Sequence, residues 1–138
     1  MAQSVVGIGD VDGVDLSAEM LEVANAKKLY RGLYCHDLTT GTGQLPCDYG
    51  GVLSAGTFTH GHLGPDALQS LLAVGRTGAL YCIGINKQHF QNADFESAFA
   101  KLLSARLIQD YQELSVDIFT VSEDKAIVAV FRKSELLR

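Results

Sequence analysis

Val11-Asp12-Gly13-Val14-Asp15-Leu16-Ser17-Ala18-Glu19-Met20-Leu21-Glu22-Val23-Ala24 reads as a short buried strand, one carboxylate and an immediately capped helix. Asp15 falls where the strand's ladder ends, so its side chain is placed to reach the crevice beyond a parallel sheet. There a carboxylate accepts hydrogen bonds from the two vicinal hydroxyls of a ribose. The plainer reading of the same acid is a negative charge set before a helix for its dipole alone. Ser17 is the predicted N-cap, Glu19 sits in the first turn, and Lys27 and Lys28 stand near the negative end. Leu16, Met20, Val23 and Ala24 recur at helical spacing and predict a core-facing side.

Working outward, Leu29 to His36 reads as a strand and Thr39 to Asp48 as a polar loop punctuated by glycine. Gly51 to Ser54 is the next strand. Gly64-Pro65-Asp66 opens a helix with proline at the first helical position, and Leu68, Leu71 and Leu72 give it a buried face until Gly75 ends it. Arg76-Thr77-Gly78 reads as a turn, and Ala79 to Ile85 as a nearly continuous apolar strand covered on both sides. Asn92 or Asp94 caps a helix carrying Phe95, Phe99, Leu102 and Leu103. Leu107 to Thr120 alternates weakly as a strand, Ser122 to Lys125 makes a turn, and Ala126 to Phe131 is the last strand. This alternation predicts an α/β fold, a single domain over 1–138 with a mainly parallel sheet, an antiparallel C-terminal edge hairpin and helices on both faces.

Composition narrows the function classes. A chain of 138 residues, 47% hydrophobic and 20% charged, is ordinary for one globular domain. The net charge of −5 and eleven scattered Lys and Arg residues argue against nucleic acid and favour a small-molecule substrate. No basic and apolar leader opens the sequence, and no run approaches the roughly 18 apolar residues of a membrane span, so a soluble, cytoplasmic protein without a membrane partner is expected. Cys35, Cys47 and Cys82 are odd in number and lack metal-ligand spacing. Cys35 and Cys82 are expected to behave as small apolar residues within strands, and Cys47 to be exposed in its turn.

The opening stretch resembles the second strand and following helix of the class I, Rossmann-like S-adenosylmethionine-dependent methyltransferases, many of which read V-x-G-x-D-L-S-x-x-M-L-x-x-A here. The resemblance continues through Tyr-Arg-Gly-Leu-Tyr-Cys-His-Asp-Leu (Tyr30 to Leu38), a third strand ending in an acid. It extends to Gly-Val-Leu-Ser-Ala-Gly-Thr-Phe-Thr-His-Gly-His-Leu (Gly51 to Leu63), a fourth strand with its loop, close to a Phe-Thr-His-Gly-His version in a small-molecule subgroup. It covers about four-fifths of the chain. The resemblance implies S-adenosylmethionine as cofactor, with Asp15 taking the ribose hydroxyls, Leu16 and Met20 among the cofactor-binding residues, Asp37 accepting from the adenine amine, and the amide of Leu38 donating to a ring nitrogen. An Asx turn opening the Thr39 loop is the alternative for Asp37. Ser54 and Gly56 are also assigned to the cofactor.

Ser54 to His62 is expected as a loop beyond the carboxyl end of the fourth strand, where ligands bind in open sheets. Gly56 and Gly61 allow close backbone approach, and Thr57, Phe58 and His60 form the expected substrate wall. His60 or His62 is the candidate catalytic base, since imidazole titrates in the useful range. His-x-His without a carboxylate or cysteine at matching spacing is too little for a metal site, so none is expected.

In the family a first strand and a glycine-rich turn hold the amino-acid end of the cofactor. Here only Met1 to Asp10 precede the second strand, and Met1 to Val6 looks like the end of the family's first helix. Gly7-Ile8-Gly9 leads into a strand where the motif needs a helix. Gly50 stands where relatives often have an acid, and Arg76-Thr77-Gly78-Ala79 replaces a more usual Lys-Pro-Gly-Gly. The expectation is therefore an N-terminally truncated domain lacking the first strand, with weak cofactor binding and impaired activity. That strand normally lies between the second and the fourth, so those two either close on each other or a second copy fills the gap in a homodimer, by strand exchange. A non-catalytic association module is the alternative function, and a nicotinamide-dependent oxidoreductase shares the acid after the second strand.

Overall fold

The computed structural model describes residues 10–15, 17–37, 45–58, 64–117 and 125–134. They fall into two compact units, Met1–Leu45 and Pro46–Arg138. In the first unit, strands β1 (Asp12–Asp15) and β2 (Gly32–Cys35) pair in parallel, joined by helix α1 (Ala18–Ala26). Parallel strands need such a crossover. The register runs from Asp12 opposite Gly32 to Asp15 opposite Cys35. A Cβ at Gly13 would stand 2.9 Å from Leu33 Cδ2 and 3.2 Å from the Tyr30 ring, so the backbone here passes close to these two side chains.

Helix α1 begins as predicted, with the Met20 amide donating to Ser17 Oγ at 3.2 Å. Its apolar side is not the expected one. Met20 and Val23 are more than half exposed, whereas Ser17, Leu21 and Ala24 are half-buried. The partly covered line therefore runs i, i+4, i+7 from the cap, and Met20 and Val23 lie beside it.

The second unit is a four-stranded sheet, β3 (Tyr49–Phe58), β4 (Gly75–Asn86), β5 (Ile108–Asp117) and β6 (Lys125–Lys133), in the order β3-β4-β6-β5. β3 and β4 are parallel, and β6 runs antiparallel to both β4 and β5. The chain thus has the mixed α/β character expected, with parallel pairs and an antiparallel hairpin at one edge. Among the described residues β1 is hydrogen-bonded to β2 alone and β3 to β4 alone.

Helices α2 (Asp66–Leu72), α3 (Lys87–Asn92) and α4 (Phe95–Ser104) belong to this unit. Its core lies on one face of the sheet, where Tyr81, Ile83 and Ile85 of β4 meet Ala129 and Phe131 of β6 and Phe90, Phe95, Phe99 and Leu102 of the helices. The alternate residues of β4 do not share that burial: Leu80 is exposed and Cys82 and Gly84 are half-buried. Burial of this strand is therefore heavier on the Tyr81 side than on the other.

Three further elements depart from expectation. β3 continues past Ser54 to Phe58, which pairs with Ile85 after a register shift, so Gly56, Thr57 and Phe58 lie on a strand instead of a loop. Arg76-Thr77-Gly78 is a bulge within β4, with Gly78 at φ 82°, because the ladder advances from Gly75 to Leu80 while β3 advances from Tyr49 to Gly51. Helix α3, capped by Asn86 Oδ1 accepting from the His89 amide at 3.0 Å, is too short to show a period in sequence. Asp94 caps α4 as one of the two expected residues. Cys35, expected to be a buried apolar residue, is exposed at the end of β2, and Cys47 is exposed as expected.

Tyr81 ties β4 to α2. Its fully buried hydroxyl accepts from the Gly75 amide at 3.1 Å and donates to the Leu71 carbonyl at 2.6 Å. Burial pushes this phenol up from 10.0 to about 12, opposed by the Gly75 amide. The unfolded chain therefore loses its proton first as pH rises, so the folded state loses stability from pH 10 upward, by about 1.4 kcal/mol per pH unit until the folded phenol also ionises. Urea titrations at pH 9, 10, 11 and 12 are expected to show this fall, and Tyr81→Phe to lessen its slope, the remainder coming from Tyr111, whose phenol burial also raises.

Candidate functional site

In the first unit Asp15 ends β1, exposed, with Oδ1 accepting from the Ser17 amide at 2.9 Å. This bond holds the carboxylate at the mouth of α1 through one of its two oxygens. The His36 amide donates to the Asp15 carbonyl at 3.1 Å, which carries the parallel ladder one step past Cys35. Asp37, half-buried, follows directly. Because the strands are parallel and Asp15 stands opposite Cys35, both acids lie at the carboxyl edge of the pair, the edge at which open α/β sheets bind ligands. Two neighbouring carboxylates offer acceptors only, which suits hydroxyl and amino donors. Met20 stands exposed in the first turn of α1, its amide used by the cap. Leu16 and Leu38 lie outside the described residues.

At the opposite end of the pair, Arg31 donates from Nε to Asp12 Oδ1 at 3.0 Å and from Nη2 to Oδ2 at 2.7 Å. Asp10 lies 3.7 Å from the same guanidinium. The Arg31 amide also donates to the Val11 carbonyl at 2.7 Å. Opposite charges 19 positions apart carry no sequence signal of pairing, so this fork was legible only in the fold.

In the second unit Ser54 stands opposite Ile83, on the buried face of the sheet, and its Oγ is buried without a hydrogen-bond partner. A buried orphan hydroxyl is costly, which makes this the polar atom of the unit most in need of an explanation. Gly56, Thr57 and Phe58 continue the strand. His60 and His62, the candidate bases, lie outside the described residues. A shallow cavity of about 210 Å³ is lined by Lys87, Phe90, Gln91, Asp94, Glu96, Glu113 and Ile127. It falls below the roughly 300 Å³ at which small-molecule pockets begin. Beside it, burial and then Glu113, whose Oε2 accepts from the Tyr111 hydroxyl at 2.7 Å, push the Tyr111 phenol far up. Among the described residues no three His, Cys, Asp or Glu side chains are grouped to hold a metal ion. Nor is any helix among them long and apolar enough to cross a membrane.

No family model matches this chain. No curated protein matches it either. Solved structures do. The N-methyltransferase NodS from Bradyrhizobium japonicum WM9 superposes with a TM-score of 0.62 at 11% identity, covering 91% of this chain and 74% of that one. NodS is matched also as its complex with S-adenosylhomocysteine. The plantazolicin methyltransferase BpumL, likewise in complex with S-adenosylhomocysteine, matches at 15% identity and a TM-score of 0.61 over 94% of this chain and 68% of that chain. An rRNA methylase from Streptococcus thermophilus matches at 12% identity and 0.56 over 91% and 74%. At these identities the likeness establishes the fold, which is that of the class I S-adenosylmethionine-dependent methyltransferases.

Proposed function

We propose that this chain is a methyltransferase-type domain that binds S-adenosylmethionine, its first unit taking the nucleoside on Asp15 and Asp37. The observation that carries the reading is the placement of two acids at one carboxyl edge of adjacent parallel strands. When bound, the cofactor supplies an electrophilic methyl group on a sulfonium. Asp15, oriented through Oδ1, takes the ribose hydroxyls, and Asp37 takes the adenine amine beside the Leu38 amide. For the second unit, the resemblance assigns Ser54 and Gly56 to cofactor binding, Thr57, Phe58 and His60 to the acceptor, and His60 or His62 to removal of its proton. Transfer from a sulfonium asks chiefly for alignment of donor and acceptor and exclusion of water. The described residues offer groups suited to the nucleoside half of the cofactor. A small-molecule acceptor suits the net charge of −5.

Calorimetric titration with S-adenosylhomocysteine tests this. Heat is expected from the parent chain at about millimolar ligand. Asp15→Asn keeps an oxygen for the Ser17 amide and removes the second acceptor, and is expected to weaken binding about ten- to a hundredfold. Absence of heat from the parent, or an unaffected variant, contradicts the reading.

A second reading, an association module, is favoured by the outer edge of β3. Tyr49–Phe58 carries no charge and no proline, and among the described residues it pairs only with β4. The other edge strand, β5, carries Asp110, Glu113 and Asp117 and a register shift, devices that block edge pairing. Leu53 and Leu80 add exposed apolar surface beside the unguarded edge. A homodimer follows, and light scattering that finds a strict monomer at high concentration contradicts it.

A further inference from the structure

The first unit has an unusual basis for its geometry. None of its described residues is buried, and α1 buries no side chain. Two strands of four residues, Asp-Gly-Val-Asp and Gly-Leu-Tyr-Cys, give little apolar surface to fix how one slides along the other. Yet the position of the two acids depends on that register. A slip of one residue turns every side chain of a strand to its other face and takes Asp15 away from the end of the ladder.

One side chain of the unit is nevertheless almost fully enclosed. The Asp12 carboxylate is 5% exposed while its partner Arg31 is 54% exposed. Both Asp12 oxygens are engaged by the planar guanidinium fork, at 3.0 and 2.7 Å. A two-pronged contact of this kind specifies position as well as charge, which a single point charge does not. An enclosed carboxylate also opposes any slip that would part it from its cation. Arg31 immediately precedes β2 and Asp12 is the first residue of β1, so the fork spans the start of the ladder at Asp12 and Gly32.

We infer that the Arg31–Asp12 fork is a positioning device for the candidate nucleoside site: it pins β1 against β2 in the register that brings Asp15 and Asp37 to one edge. This rests on the proposed nucleoside reading for its functional consequence, and on the strand geometry alone for its structural one. Arg31 and Asp12 do not touch the ligand.

The test pairs two readouts on the intact chain: inter-strand NOEs for Gly13–Leu33 and Val14–Tyr34, and calorimetric affinity for S-adenosylhomocysteine. Arg31→Ala is expected to lose those NOEs and to bind at least about tenfold more weakly, while the Phe99 and Phe131 ring signals of the second unit keep their dispersion. Arg31→Lys keeps the charge without the fork and is expected to fall between parent and Arg31→Ala in both readouts. Should Arg31→Ala melt the first unit outright, Arg31→Lys decides. NOEs intact in Arg31→Ala, affinity intact after the NOEs are lost, or a lysine variant indistinguishable from the parent each overturn the inference. A parent chain that gives no heat with S-adenosylhomocysteine refutes the nucleoside reading instead, and the NOEs then judge the pin alone.

Discussion

Phe99→Ala is expected to remove about 3–5 kcal/mol from the second unit, enough to consume much of the stability of a small domain. Phe99 is 1% exposed and stands at the centre of the aromatic cluster. Its ring lies 4.8 Å from Tyr111, 5.6 Å from Phe131 and 6.3 Å from Phe90. Truncation removes the contacts that join α4 to β5 and β6 and to α3 in one step. The cavity left cannot close easily, because Tyr81 stacks on Phe131 at 5.1 Å and Phe90 on Phe95 at 5.9 Å, each held from its other side. Chemical denaturation followed by near-ultraviolet circular dichroism measures this. A loss below about 1 kcal/mol would show the cluster to be loosely packed.

Gly75→Ala is expected to cost about 3 kcal/mol, the upper end of what overpacking a buried site costs. A Cβ at this buried position would stand 2.5 Å from Tyr81 Oη and 2.8 Å from Ala79 Cβ. Tyr81 cannot swing away without giving up the Leu71 carbonyl and its stack on Phe131, so either the hydrogen bonds or the start of β4 must give. Combining Gly75→Ala with Tyr81→Phe relieves part of the clash, so the double variant is expected to be less destabilised than the sum of the two. Thermal or urea unfolding of the four chains in the cycle checks both statements.

What the sequence made legible was local. Ser17 caps α1 and Asp94 caps α4 through the contacts their residue types imply, and the spacing of Phe95, Phe99 and Leu102 is the buried face of α4. That Asp15 closes one strand and that Asp37 follows the next was legible too. What stayed hidden depends on distant partners. β3 extends through Gly56 because β4 continues beside it as far as Asn86. The Arg76–Gly78 segment looks like a turn and is a bulge because the strand resumes after it. The unequal burial of the two faces of β4 follows from the helices lying over the Tyr81 side, which an unbroken apolar run cannot report. The fork of Arg31 on Asp12 and the link from Tyr81 to Leu71 and Gly75 likewise join residues whose proximity only the folded chain creates.

The central claim is that Asp15 and Asp37 serve one nucleoside. An amide-resolved NMR titration of the parent chain with S-adenosylhomocysteine tests it most directly. The account predicts dose-dependent shifts confined in the first unit to the amides around Asp15, Ser17, His36 and Asp37, and their disappearance in Asp15→Asn. Saturating ligand that leaves those amides unmoved, or moves them equally in the variant, would contradict it.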